Sequence, residues 1–204
     1  MNLQAIERFL STPTEASLER FLDSPEVVFW VDWREEDDAI VQYCEDVLQT
    51  EQLGAELRDI EEEPGFQLVI TYKGQSFDVP LLADLADRHI TLVALNEAIA
   101  ADFEIRFCIS SAGGDTLAFV PLPNDVWRQL EEKYPNVVAE NFAKIEERPN
   151  LFTEGYGASS QPSWEALARD PSQKLAAVKA YRAERSCGLA EAKAAVEAFI
   201  AGLG

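Results

Sequence analysis

A chain of 204 residues is long enough to bury a large core without disulfides or metal, and 47% hydrophobic content with four Trp and eleven Phe excludes a disordered chain. The formal net charge of −20, from 37 acidic and 17 basic side chains, argues against direct nucleic-acid binding and attachment to anionic membranes, which both need clustered Lys and Arg. No run approaches the ~18–20 apolar residues of a membrane helix, and the opening MNLQAIERFL lacks a basic-then-apolar leader. Three widely spaced cysteines, Cys44, Cys108 and Cys187, suit a reducing compartment, so the expected location is the cytoplasm.

In chain order, NLQAIERFLS and TEASLERFLDS predict two short helices, with Leu3, Ile6 and Leu10 on one apolar stripe and Leu18, Phe21 and Leu22 on another. Thr14 is the candidate N-cap of the second. The β-branched and aromatic run from Val27 to Trp33 predicts a buried strand. From Glu35 to Gln49, apolar Ala39, Ile40, Tyr43, Cys44, Val47 and Leu48 predict an amphipathic helix whose opposite face is rich in carboxylates. Gly54 predicts a turn, and ELRDIEEE fits either an edge strand or a helix end, closed by Pro64 and Gly65.

FQLVITY and QSFDVPL, flanking Lys73 and Gly74, predict a β-hairpin. A helix is expected within ADRHITLVALNEAIAAD, with Leu92, Leu95, Ala98 and Ile99 on one face. FEIRFCIS and TLAFVPL predict a second hairpin across SAGGD, where Gly113 and Gly114 are expected at positive φ. Asn124 is the candidate cap of a helix over DVWRQLEEKY that Pro135 ends, and a further helix is expected from Val137 to Ile145. Helix, strand, strand thus occurs twice. The expected class is α/β of the α+β kind, a mixed or antiparallel sheet with helices on one side.

This main domain is expected over 1–152, followed by a Gly-, Ser- and Pro-rich linker over 153–162 and a small helical hairpin over 163–204. In the last part SWEALARD precedes the Ala-rich helices QKLAAVKAYRAER and LAEAKAAVEAFIAG, with Gly188 at the turn. So small a hairpin is expected to dock on the main domain or on a partner.

Residues for chemistry are sparse. His89 is the sole histidine and is expected to be structural, since nothing in the sequence places a second group beside it. No Cys or His pair has metal-ligand spacing, EEDDAIVQYCED lacks the alternation of a calcium loop, and SSAGGDT has no phosphate-binding lysine. The sequence predicts no catalytic, cofactor or metal site and therefore a binding protein rather than an enzyme.

The charge pattern suggests where a partner binds. Asp23 to Glu63 holds fifteen acids against two bases, Arg34 and Arg58, whereas Gln161 onward holds five acids against six bases. A solvated surface mixes both signs, so the excess marks Glu35, Glu36, Asp37, Asp38, Glu45, Asp46, Glu61, Glu62 and Glu63 as candidate contacts for a basic protein.

Two resemblances extend this reading. In KLAAVKAYRAERSCGLAEAKAAVEAF, residues Lys174, Val178, Lys179, Arg182, Gly188, Leu189, Glu191, Ala192, Lys193, Val196 and Glu197 match the helical hairpin of the bacterial ribosomal stalk protein's C-terminal domain, which the segment resembles. That resemblance implies an adaptor for a translation GTPase or other nucleotide-binding protein. The stretch DRHITLVALNEAIAADFEIRFCISSAGGDTLAFVPLPNDVWRQLEEKYPN resembles part of a group of small bacterial proteins that includes immunity proteins of contact-dependent or type VI toxin systems. It implies a cytoplasmic antidote that neutralises a cognate toxin, with a basic nuclease effector as the partner an acidic surface suits.

Overall fold

The computed structural model describes residues 3–61, 65–81, 87–156, 164–169, 174, 177–178, 181 and 189–201. The chain forms two compact units, Met1–Tyr156 and Gly157–Gly204. The first runs α1 (Gln4–Ser11), α2 (Glu15–Leu22), β1 (Phe29–Asp32), α3 (Asp37–Leu48), β2 (Leu53–Asp59), β3 (Phe66–Tyr72), β4 (Gln75–Asp78) and α4 (Arg88–Ile99). It continues through β5 (Phe103–Cys108), β6 (Thr116–Pro123), α5 (Asn124–Lys133), α6 (Pro135–Asn141) and β7 (Phe142–Lys144).

The fold is α+β, with two antiparallel sheets in place of one: β1-β6-β5-β7 and β2-β3-β4. Helices cover both faces of the larger sheet, not one. The reason lies in the alternation along β6, where Leu117 and Phe119 enter one apolar cluster and Ala118, Val120 and Leu122 enter another. The first cluster joins this sheet to α3, α4 and the smaller sheet; the second joins it to α1, α2, α5 and α6. The aromatic rings of Phe9, Phe21, Trp127 and Phe142 knit the second cluster, and Phe142 touches the other three at centroid distances of 6.3, 5.7 and 5.3 Å.

Several local expectations are met through identifiable chemistry. Thr14 caps α2 and forms a reciprocal capping box with Ser17. Lys73 and Gly74, at φ 50° and 76°, make the tight turn between β3 and β4. ELRD belongs to β2, which pairs with β3 from Leu53↔Tyr72 to Asp59↔Phe66. Leu53 and Ala55 pack into the core, while the strand runs past it and leaves Leu57 52% exposed.

Other expectations are corrected. Gly54 lies within β2 instead of a turn, and left-handed Gln49 and Glu51 reverse the chain after α3. Gly113 has positive φ but Gly114 does not. Asn124 is the first residue of α5, and its amide donates to the Ala100 carbonyl rather than capping the helix. The helix expected from Val137 to Ile145 stops at Asn141, where Phe142 turns into β7 and adds an edge strand beside β5. Thr153–Tyr156 also belong to the first unit: the Glu154 and Gly155 amides donate to the Asn150 carbonyl, and Tyr156 meets Phe107. The remaining linker residues, 157–162, lie outside the described residues.

In the second unit α7 (Trp164–Ala168) and α8 (Leu189–Ala201) accompany helical residues Lys174, Ala177, Val178 and Tyr181. Ala168, Ala177, Val178, Ala192 and Val196 form its buried cluster, and Trp164 lies edge-on to Tyr181 and Phe199. Lys174 bonds Glu197 at 2.7 Å. Gly188 and Cys187 lie outside the described residues.

The aromatic cluster gives a direct test. Phe142→Ala should destabilise the protein by about 3–5 kcal/mol, because it removes both ring contacts and a buried face of the β7 edge. Denaturant unfolding checks this, and a loss under about 1 kcal/mol would show that the site collapses around the smaller side chain.

Candidate functional site

Two regions of the first unit carry features that packing alone does not require. One is the acidic surface of α3. Its buried face, Ile40, Val41, Cys44, Val47 and Leu48, fixes the helix against the core, which turns Asp38, Gln42 and Asp46 to one side at four-residue spacing. Glu36 and Asp46 are exposed, and Glu35, Asp38 and Glu45 are half-buried. Burial pushes the Tyr43 phenol up first, and the neighbouring Glu35 and Asp46 carboxylates push it further, a sign of the negative field along this helix.

Not every candidate contact reaches that surface. Asp37 is 5% exposed and points inward, accepting a 2.8 Å hydrogen bond from Thr91 Oγ1 on α4. Its second oxygen is buried without a hydrogen-bond partner. Glu45 caps the turn after α3 by accepting from the Thr50 hydroxyl at 2.7 Å and from the Glu51 amide, so it acts inside the fold. Glu61 is exposed after β2, and Glu62 and Glu63 lie outside the described residues.

The second region is a cavity of about 690 Å³ between β4, the first turns of α4 and the segment 147–154. Asp87 caps α4 by accepting from the His89 and Ile90 amides at 2.9 and 3.3 Å. The same carboxylate holds the Asn150 side-chain amide at 3.1–3.2 Å, while Asn150 Oδ1 accepts from the Phe152 and Thr153 amides. His89 is buried behind this junction: Nε2 donates to the Glu146 carbonyl at 2.9 Å and Nδ1 faces the Leu151 amide at 3.5 Å. Both ring nitrogens are thereby engaged by backbone, and the imidazole clamps the segment 146–151 to the start of α4.

The floor of the cavity is apolar. Ile90, Val93 and Ala94 line it from α4 and Phe77 from β4, with Glu97 one helical turn beyond Val93. Asp78, Glu97 and Glu147 stand exposed in its lining, and Arg148 is held by Glu154 at 2.6 Å. Sequence reasoning noticed only the core-facing stripe of α4. Apolar Ile90, Val93 and Ala94, one turn before the acidic Glu97, were the available signal. Comparison of the chain with protein-family models, curated proteins and solved structures returned no match.

Elsewhere the chemistry is that of a packed interior. Burial pushes the Cys44 and Cys108 thiols strongly upward, away from the reactive thiolate form. SSAGGDT forms a short 3-10 turn and hairpin loop between β5 and β6, in which the Ser111 hydroxyl donates to the Cys108 carbonyl. Among the described residues no group of three or more His, Cys, Asp or Glu could hold a metal, and no helix is long and apolar enough to cross a membrane.

Burial raises the Asp37 carboxyl above its ordinary value, and the Thr91 bond and Arg88 only partly offset this. The folded chain therefore binds that proton more tightly than the unfolded chain, so this group's contribution is best at low pH and declines as pH rises from the ordinary carboxylate value through the raised one. Asp37→Asn, which keeps an acceptor for Thr91, should be more stable than the parent at neutral pH, with the gap closing on acidification. Denaturant unfolding across pH checks this; a pH-independent gap would remove charge burial as the cause.

Proposed function

We propose that the protein is a non-enzymatic antidote of the immunity type, which binds a basic toxin and covers its working surface, a nuclease effector being the class whose phosphate-binding groove an acidic face complements. The observation that carries this reading is uncompensated charge. Glu35, Glu36, Asp38 and Asp46 cluster at the start and along one side of α3 and enter no ion pair among the described residues. Like charges held together on one helix raise the energy of the free protein, and a basic partner relieves that repulsion while steering its own approach. Asp37 and Glu45 drop out of the surface because both serve the fold.

A second reading rests on a different observation. The compact unit from 157 onward has its own apolar cluster and contains the stalk-like segment, which supports an adaptor that meets a nucleotide-binding protein through that unit.

Co-expression with the product of a neighbouring reading frame encoding a basic toxin tests the first reading. The intact chain should restore growth, and Glu36→Lys with Asp46→Lys should slow association about three- to tenfold at low salt while leaving the unfolding transition in place. An unchanged association rate would put the interface elsewhere. Loss of binding when 157–204 are deleted, with the acidic face intact, would favour the adaptor.

A further inference from the structure

We propose that the cavity beside α4 is a binding site for a small amphipathic organic cation, a primary ammonium or guanidinium carried on a short apolar stem. The inference is independent of the antidote reading and uses different residues. Its first support is the helix itself. Leu92, Leu95, Ala98 and Ile99 of α4 are spent in the core; Ile90, Val93 and Ala94 pack against the same core, and the half-buried Ile90 and Val93 still present apolar surface to a cavity of about 690 Å³. Such a volume lies within the ~300–1,000 Å³ of small-molecule sites.

The second support is the charge of the lining, which among the described residues holds the carboxylates of Asp78, Asp87, Glu97, Glu147 and Glu154 against the guanidinium of Arg148. Asp87 is committed to capping α4 and Glu154 to Arg148, leaving Asp78, Glu97 and Glu147 without a side-chain hydrogen bond or ion pair among the described residues. An anion would meet net repulsion there. A metal ion is disfavoured too, because the carboxylates do not converge into a ligand set. An apolar floor ringed by separate carboxylates instead matches a ligand whose stem lies on Phe77 and Val93 and whose charged head reaches the rim.

The walls are also held in place before any ligand arrives. His89 and Asn150 tie the segment 146–153 to the start of α4 through backbone and side-chain hydrogen bonds, so these two of the lining stretches are positioned without a ligand.

The test titrates the full chain with three probes that share one stem, hexylammonium, hexanoate and hexanol, followed by calorimetry and amide NMR. Hexylammonium should bind saturably, with shifts centred on Ile90, Val93 and Glu97, and hexanoate at least tenfold more weakly. Glu97→Gln should weaken hexylammonium roughly threefold without moving hexanol, as loss of one exposed charge contact implies. Val93→Trp should fill the floor and remove binding of both; if that variant fails to fold, the Glu97→Gln arm decides alone. Equal affinity for hexanoate and hexylammonium, shifts away from α4, or absence of saturation would overturn the proposal. A capped Leu-Lys peptide is the last arm: binding by the peptide but not by free hexylammonium would assign the pocket to a protein side chain and equally overturn it.

Discussion

The central strand β6 is apolar on both faces, its neighbour β5 on one, and most of the first unit is arranged to cover them. A sheet with one wet face needs a single layer of helices; one with Leu117 and Phe119 on one side and Ala118, Val120 and Leu122 on the other needs two. That requirement brings α1, α2, α5 and α6 to one side and sets α3, α4 and the small sheet on the other. Arg106 is the conspicuous exception. Its guanidinium is forced inside by the alternation of β5, where Glu104 and Glu131 each bond it at 2.7 Å and the Trp127 ring lies 4.2 Å away. Trp127 in turn donates to the Glu104 carbonyl at 2.8 Å, so a buried charge and an aromatic anchor share one junction.

The small sheet depends on polar ties as well as burial. Tyr72 and Lys73, at the β3–β4 turn, bond Asp102 just before β5 at 2.9 and 2.7 Å, which links the two sheets end to end. The Asp102 carboxyl is held below the usual carboxylate range by these two bonds, Lys73 first and then Tyr72. On the other side of β4, the Asp87, His89 and Asn150 contacts fasten the end of the unit back onto α4. β4 and α4 are thus positioned from both ends, and both line the cavity between them.

Much of the element order was legible because periodicity and turn chemistry are local. The α3 stripe, the Lys73-Gly74 turn and the Thr14 cap need no knowledge of distant residues. What failed was whatever depended on a partner far along the chain. Phe142–Lys144 reads as the tail of a helix until β5 supplies a neighbour through Cys108↔Phe142. Asp37 reads as one more surface carboxylate until Thr91, 54 residues later, turns out to receive it. Gly155 and Tyr156 read as linker until Phe107 offers a ring to pack on. The same limit hid the cavity, whose lining comes from three separate stretches of sequence.

The two cation-seeking surfaces differ in how they can discriminate. A net charge of −20 raises the local concentration of every cation, but beyond about 8 Å that field is screened at physiological ionic strength. Charge on α3 can therefore hasten an encounter without telling one basic protein from another; discrimination there must come from shape and from apolar neighbours such as Trp33, 49% exposed just before the helix. In the cavity the order is reversed. On the proposed reading, its apolar floor takes the stem and the carboxylates at the rim sort ligands by the sign of the head group. A long-range field selects for speed and a shaped floor selects for identity, so on this reading the cavity is the more specific of the two.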